Sequence, residues 1–187
     1  MIISHKHKFV TIDVPKTGTS SINSVLRRVV GKNDFTPTMS RKMGVRHSTY
    51  EQCIKKIPSC KKYFVFAFVR NPWDRLVSFW FYKKYRALRK ITEDVPLRDF
   101  LLNFRTPHEQ YTYIKGFGND SFIGRFENLQ QDFDIVCDRI GIPRQKLPHR
   151  NKTDHKHYTK YYDDETRQMV AEKYSKDIDH FGYEFGE

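Results

Sequence analysis

The sequence lacks several features that would assign it to a specialised class of protein. Only three of its 187 residues are cysteine, and Cys53, Cys60 and Cys137 follow no common zinc or disulfide spacing. This excludes a disulfide-rich scaffold, and we expect three reduced, structural thiols. No apolar run has the length of a membrane span, and MIISHKHKFV lacks the apolar stretch of a signal peptide. We therefore expect a soluble, cytoplasmic protein.

Acidic residues are scarce relative to basic ones. The chain has 34 Lys and Arg against 22 Asp and Glu, so its formal net charge is +12. The basic residues are concentrated in two segments. Residues 83–90 hold five basic side chains and no acid, and residues 144–160 hold six Lys or Arg, three His and one acid. A basic surface attracts anions. The composition therefore favours a polyanionic or phosphorylated partner.

Predicted strands and helices alternate along the chain. Apolar runs at residues 9–14, 63–69 and 121–126 predict buried strands. Apolar residues at helical spacing follow each strand, at 22–30, 73–80 and 129–140, and a last helix is predicted from Asp163 to Tyr174. This alternation predicts one α/β domain, residues 1–187, with a mainly parallel central sheet flanked by helices. In such sheets ligands bind at the carboxyl ends of the strands.

Several of these helices have recognisable end signals. Asn71 is predicted to cap a helix whose first residue is Pro72. Gly31 and Gly141 follow two of the apolar stripes and are predicted to end their helices.

The turn after the first strand has the composition of an anion-binding loop. It reads VPKTGTSSI, residues 14–22. The first N–H groups of a helix have no helical partners and can donate to an anion at the N-terminal end, where the helix dipole favours its charge. Gly18 permits close approach of the backbone, and Lys16 adds a full positive charge. Four hydroxyls add further donors, those of Thr17, Thr19, Ser20 and Ser21. An ordinary capped turn would explain Ser20 but not the preceding PKTG.

A second polar group follows the second strand, in FVRNPWDRLVS. Arg70 stands where the strand ends, and Ser78 comes eight residues later, off the apolar face of the next helix. Both side chains can therefore face the carboxyl end of the sheet. Taken alone, Arg70 would be read as a surface ion pair and Ser78 as an ordinary exposed residue.

Together the two motifs resemble those of the sulfotransferases. VPKTGTSS is similar to the family's loop for the 5′-phosphosulfate of 3′-phosphoadenylyl sulfate (PAPS), and Arg70 with Ser78 is similar to its clamp for the 3′-phosphate. FVFAFVRNPWDRLVSFW, FIGRFENLQQDF, LPHRNKT and the closing YEF resemble the carbohydrate sulfotransferases of the family 2 type, so the resemblance covers nearly the whole chain. It implies a P-loop-like three-layer sandwich. It also implies in-line transfer of a sulfuryl group from PAPS to a carbohydrate hydroxyl, with the bisphosphate PAP as product.

The resemblance also implies catalytic roles. Lys16, at the front of the loop, would neutralise charge on the departing oxygen, so that no metal is required. His47 matches a histidine that related sequences carry between the two motifs, and its ordinary pKa suits a general base. Glu51 and Glu127 remain alternatives for the base.

The basic segment before the last helix invites a metal site, because it contains His149, His155 and His157. No cysteine or carboxylate pattern that favours zinc surrounds them, so we expect an anion-binding loop. The resemblance implies that Lys152 and Thr153 in this segment contact the nucleotide.

Two other functions remain open from the sequence. A metal-dependent nucleotide phosphotransferase would require Mg²⁺. A non-catalytic nucleic-acid-binding domain would bind DNA or RNA with a steep salt dependence and without an effect of PAP. The sequence has no recognisable nucleic-acid motif, so nucleic acid is not the expected partner. The acceptor is not identified, and the basic surface favours an acidic glycan.

Overall fold

The computed structural model describes residues 1–31, 34, 47–85, 95–148 and 156–187. The chain divides into two compact units. Unit 1 comprises Met1–Val69 and Thr112–Asn151, and unit 2 comprises Arg70–Tyr111 and Lys152–Glu187. The predicted nucleotide contacts Lys152 and Thr153 lie outside the described residues.

Unit 1 is built on a four-stranded sheet. The strands are β1 (Ile2–Ser4), β2 (Phe9–Ile12), β3 (Phe64–Val69) and β4 (Phe122–Arg125), and they lie in that order across the sheet. β2, β3 and β4 are parallel, and β1 is antiparallel to β2. The parallel strands are the three predicted ones, each shorter than predicted by one or two residues. The mainly parallel sheet confirms the α/β class.

The first strand is absent from the sequence prediction. β1 has only three residues and pairs Ile2 with Thr11 and Ser4 with Phe9. The turn that joins it to β2 contains no glycine, and Lys8 supplies the positive φ of 53°. An apolar run this short, followed by a turn without Gly or Asn, carries little hairpin signal.

The described residues contain eight α-helices. They are α1 (Thr19–Leu26), α2 (Tyr50–Lys56), α3 (Pro72–Tyr85), α4 (Leu97–Asn103), α5 (Tyr111–Ile114), α6 (Leu129–Arg139), α7 (Asp164–Lys173) and α8 (Ser175–Phe181). Short 3₁₀ helices occur at Pro58–Lys62, Phe126–Asn128 and Tyr158–Tyr161. None of the described helices has both the length and the apolar character needed to cross a bilayer.

The core of unit 1 lies between the sheet and the helices α1 and α6. Its buried members from the strands include Phe9, Phe66 and Phe68, and those from the two helices are Ile22, Val25, Leu26, Phe133, Val136 and Cys137. All of β2 and nearly all of β3 is buried, as predicted for strands covered on both faces. Burial of this apolar surface fixes the two helices against the sheet.

Helix α1 ends earlier than predicted. The apolar stripe extends to residue 30, but the helix ends at Leu26. Beyond it the N–H of Arg28 donates to the carbonyl of Val25 at 2.9 Å and that of Val29 to Leu26 at 3.1 Å, so the chain tightens into i→i+3 bonds. Val29 still packs against the core, which explains why the helical spacing persists past the helix.

Unit 2 has its own apolar core among α3, α4 and α7. Its buried members are Trp73, Leu76, Val77, Phe81, Leu97, Phe100, Leu101, Tyr158, Val170 and Tyr174. The cap of α3 is as predicted, since the N–H of Trp73 donates to Asn71 Oδ1 at 3.1 Å. Asp163 and Thr166 form a capping box that begins α7 at the predicted place. α8 follows α7 and is not predicted by the sequence.

The three cysteines are buried and form no disulfide, as predicted. The thiols of Cys53 and Cys60 share a hydrogen bond, which raises the pKa of Cys53 and lowers that of Cys60. Burial in the core raises the pKa of Cys137. Of the three, Cys137 belongs to the core of unit 1.

Candidate active site

The loop between β2 and α1 has the backbone of an anion-binding turn. The φ angles of Lys16 and Gly18 are both positive, at 72° and 80°, on either side of Thr17. Consecutive N–H groups in such a turn make a concave surface with positive partial charge. A non-glycine residue at positive φ is strained, and such strain is concentrated at functional sites. The geometry therefore supports the predicted role of this loop.

The hydroxyls of the loop occupy different environments. Thr17 is fully buried, and its Oγ1 donates to the carbonyl of Val14 at 2.9 Å, which closes the loop. Ser21 is also buried, and its N–H donates to the carbonyl of Gly18 at 2.9 Å in the first turn of α1. Thr19 is half-buried and Ser20 is exposed. Thr19 and Ser20 are therefore the more accessible hydroxyls, and Thr17 chiefly shapes the loop.

Gly18 is required by its surroundings as well as by its φ angle. A Cβ added there would lie 2.9 Å from Cδ2 of Leu129 and 3.3 Å from Cδ2 of Phe126. Leu129 begins α6, so this contact ties the loop to the helix that follows β4.

His47 is bonded to the residue at the entrance of the loop. Its Nδ1 lies 3.0 Å from the main-chain oxygen of Asp13. A carbonyl oxygen can only accept, so Nδ1 carries the proton. In the neutral ring the basic lone pair is therefore on Nε2. The imidazole is exposed, and its partner Asp13 precedes Lys16 by three residues.

The alternative bases also lie in unit 1. Glu51 is in the first turn of α2 with its side chain 61% exposed, and Lys115 Nζ lies 3.9 Å from its Oε1. Glu127 is exposed in the 3₁₀ helix before α6.

Arg70 and Ser78 belong to unit 2. The Arg70 side chain is 10% exposed, and Asp74 Oδ2 accepts from its Nε at 2.8 Å and lies 2.7 Å from a terminal guanidinium nitrogen. Ser78, in the middle of α3, is 8% exposed, so it is buried although it lies off the apolar stripe. Ser78 is therefore not the ordinary exposed residue that its position alone would suggest, because α3 is buried over more of its circumference than the stripe indicates.

The main chain of Arg70 is also held by a side chain that the sequence does not single out. The amide of Gln110 accepts from the Arg70 N–H at 2.9 Å and donates to the Arg70 carbonyl at 2.8 Å. The ion pair between Arg70 and Asp74 is weakly indicated by the sequence, because the two residues are four positions apart. The sequence gives no such indication for Gln110.

The described residues contain no group of three or more His, Cys, Asp or Glu side chains arranged to hold a metal ion. Two of the three histidines of the basic segment, His149 and His155, lie outside the described part of the chain.

The model of the sulfotransferase family matches residues 1–184, which includes both units. The chain belongs to the sulfotransferase family. The matched model supports the family 2 type that the motifs indicate. An uncharacterized protein of Archaeoglobus fulgidus is 34% identical to this sulfotransferase, over 44% of this chain and 72% of that protein.

The fold resembles that of a solved sulfotransferase. Mouse sulfotransferase SULT7A1, complexed with PAP, superposes with a TM-score of 0.61 at 13% identity, covering 94% of this chain and 86% of that one. This match confirms the predicted P-loop-like fold. A sulfotransferase from Alicyclobacillus acidocaldarius gives a TM-score of 0.40 at 10% identity, covering 92% of this chain and 83% of that one.

Proposed function

We propose that this sulfotransferase transfers a sulfuryl group from PAPS to a hydroxyl of a carbohydrate, by in-line displacement with His47 as the base. The observation that carries the proposal is the loop of unit 1, where a strained Lys16 stands beside a helix N-terminus and His47 is bonded to Asp13. The loop combines a backbone suited to an anion with a cationic side chain, and His47, the proposed base, is bonded to the residue that leads into the loop. Family membership sets the reaction class, and this arrangement supports the assignment of roles.

The donor set of the loop fits a phosphosulfate. PAPS supplies the sulfuryl group. The N–H groups of residues 17–20, with the hydroxyls of Thr19 and Ser20, would bind its 5′ end, because they are donors at the positive end of α1. The complex of SULT7A1 with PAP supports this cosubstrate. Arg70 and Ser78 would bind the 3′-phosphate, with Lys152 and Thr153 as further contacts.

Lys16 and His47 would act at opposite ends of the displacement. The ammonium of Lys16 would oppose the negative charge that grows on the departing phosphate oxygen, and the proposal needs no metal for this. Nε2 of His47 would accept the proton of the acceptor hydroxyl. The bond from Nδ1 to the Asp13 carbonyl would hold the ring and stabilise the imidazolium that forms.

The acceptor is proposed to be an acidic glycan. The net charge of +12 is larger than the few negative charges of PAPS would balance. The other basic side chains would bind a polyanionic acceptor. A single domain of residues 1–187 and a cytoplasmic location stay predictions from the sequence.

The test is the turnover of His47→Ala with labelled PAPS and a panel of glycans. We expect turnover at saturating substrates to fall by about 10²–10⁴, the contribution of a general base, while PAP affinity changes little. His5→Ala is the matched control, because His5 is an exposed histidine of unit 1 in the turn between β1 and β2. Near-normal turnover of His47→Ala would move the base to Glu51 or Glu127, which Glu→Gln variants then separate.

A further inference from the structure

We propose that Gln110 is a positioning residue for the 3′-phosphate site, and that it sets the place of Arg70 through the main chain. The inference rests on the proposed function, in which Arg70 binds the 3′-phosphate of PAPS. By positioning Arg70, Gln110 would increase the preference of the protein for nucleotides that carry the 3′-phosphate.

The contact between Gln110 and Arg70 has two points. The Gln110 amide donates to the Arg70 carbonyl at 2.8 Å and accepts from the Arg70 N–H at 2.9 Å. The same donor and acceptor pattern joins residues in a β-ladder, but here a side chain provides both groups. Gln110 is fully buried, so water cannot replace either bond. The Gln110 amide therefore fixes the main chain of Arg70 within unit 2.

Gln110 is itself held by a second buried group. Its N–H donates to Asp177 Oδ2 at 2.8 Å, and the N–H of Tyr111 donates to Asp177 Oδ1 at 2.9 Å. Asp177, on α8, is fully buried. Arg75 Nη1 lies 3.9 Å from Asp177 Oδ2 and donates to the carbonyl of His108 at 2.9 Å. The backbone of residues 108–111 is thus fixed at several points, and the Gln110 side chain projects from a rigid support.

Arg70 is consequently held at both ends. Gln110 holds its main chain, and Asp74 holds its guanidinium at 2.7–2.8 Å. A charged group fixed in place before the ligand arrives binds more tightly, because less conformational entropy is lost on binding. Without the amide, the buried N–H and carbonyl of Arg70 would lose their partners, and the chain would shift to recover them. The guanidinium would move with it.

The test substitutes Gln110→Met, which keeps the length of the side chain and removes both hydrogen bonds. Calorimetry then measures the affinity for PAP and for adenosine 5′-monophosphate, which lacks the 3′-phosphate. We expect PAP affinity to fall by about five- to thirtyfold, the equivalent of one or two hydrogen bonds, and the affinity for the monophosphate to change less than about twofold. KM for PAPS should rise by the same factor as the PAP dissociation constant, with kcat at saturation unchanged.

Gln168→Met is the matched control, because Gln168 is exposed on α7 of the same unit. It should leave both affinities unchanged. If Gln110→Met does not fold by circular dichroism, Gln110→Asn is measured in the same way, since a shorter amide cannot reach both groups of Arg70. An equal loss of affinity for both nucleotides in the folded variant, or no loss for either, overturns the inference.

Arg70→Ala separates this inference from the proposed function. If Arg70→Ala weakens PAP selectively and the Gln110 variant does not, Arg70 binds the 3′-phosphate and the positioning role is wrong. If Arg70→Ala affects both nucleotides equally, the 3′-phosphate clamp itself is wrong, and the role of Gln110 fails with it.

Discussion

Lys16 occupies a backbone conformation that residues with a side chain rarely adopt. Its φ of 72° lies in the left-handed region, where a Cβ costs roughly 1–2 kcal/mol. A glycine would be relaxed at this position but would bring no charge. We therefore expect Lys16 to lower the free energy of unfolding while it contributes its charge to the reaction.

Two substitutions at this position should separate strain from charge. Lys16→Gly should be more stable than Lys16→Ala by about 1 kcal/mol, because glycine tolerates the positive φ although it also loosens the unfolded chain. Both variants should lose turnover with PAPS by about 10²–10³, since both lack the ammonium group. Urea unfolding and a turnover assay measure the two effects. A less stable glycine variant would argue against the left-handed conformation, and retained turnover in either would remove Lys16 from the reaction.

Strand β4 packs on its neighbour through a glycine. A Cβ at Gly124 would lie 2.5 Å from Cε1 of Phe68, an aromatic ring that is buried in the core of unit 1. Gly124 pairs with Phe68 across the parallel strands, so the close approach is a property of the sheet. The absence of a side chain here lets the Phe68 ring lie over β4.

Gly124→Ala should therefore destabilise the fold by about 1–3 kcal/mol, the usual cost of overpacking a core. Gly118→Ala is the control, because nothing lies within 4 Å of a Cβ placed at Gly118. The control should stay within about 0.5 kcal/mol of the parent. Equal unfolding free energies for the two variants in urea would contradict the packing of β4 on Phe68.

PAP should stabilise the whole molecule by mass action. A ligand that binds only the folded state at a hundredfold excess over its dissociation constant adds about 2.7 kcal/mol to the free energy of unfolding. The proposal predicts this shift in the presence of a chelator such as EDTA. Thermal or urea unfolding with and without PAP measures it. A folded protein that shows no shift at millimolar PAP would contradict PAPS as the cosubstrate.

The net charge also gives a prediction for the whole molecule. If the basic surface binds an acidic glycan, KM for that acceptor should rise as ionic strength increases from about 0.05 to about 0.2 M, because salt screens exposed charges. KM for a neutral glycan should change far less in the same assay. Identical salt dependence for both acceptors would mean that the charge of +12 serves another partner.

The sequence by itself determined the elements whose signals are local. β3 is predictable because every residue from 64 to 69 is apolar. α7 begins where the sequence predicts the last helix, at Asp163, and the structure adds that Asp163 caps it. The loop proposed to bind an anion is recognisable because Lys16 and Gly18 stand between a strand and a helix. α1 was predicted too long, because helical spacing of apolar residues continues where the hydrogen bonds have already changed.

Only the tertiary structure decided which residues hold the site in place. Arg70 and Gln110 are 40 residues apart, and Asp13 and His47 are 34 apart. In both pairs a side chain bonds to a main-chain group, and every residue carries such groups whatever its type. The sequence therefore contains no sign of which residue will be the partner. The chemical groups follow from the sequence, whereas their positions follow from the packing of distant segments.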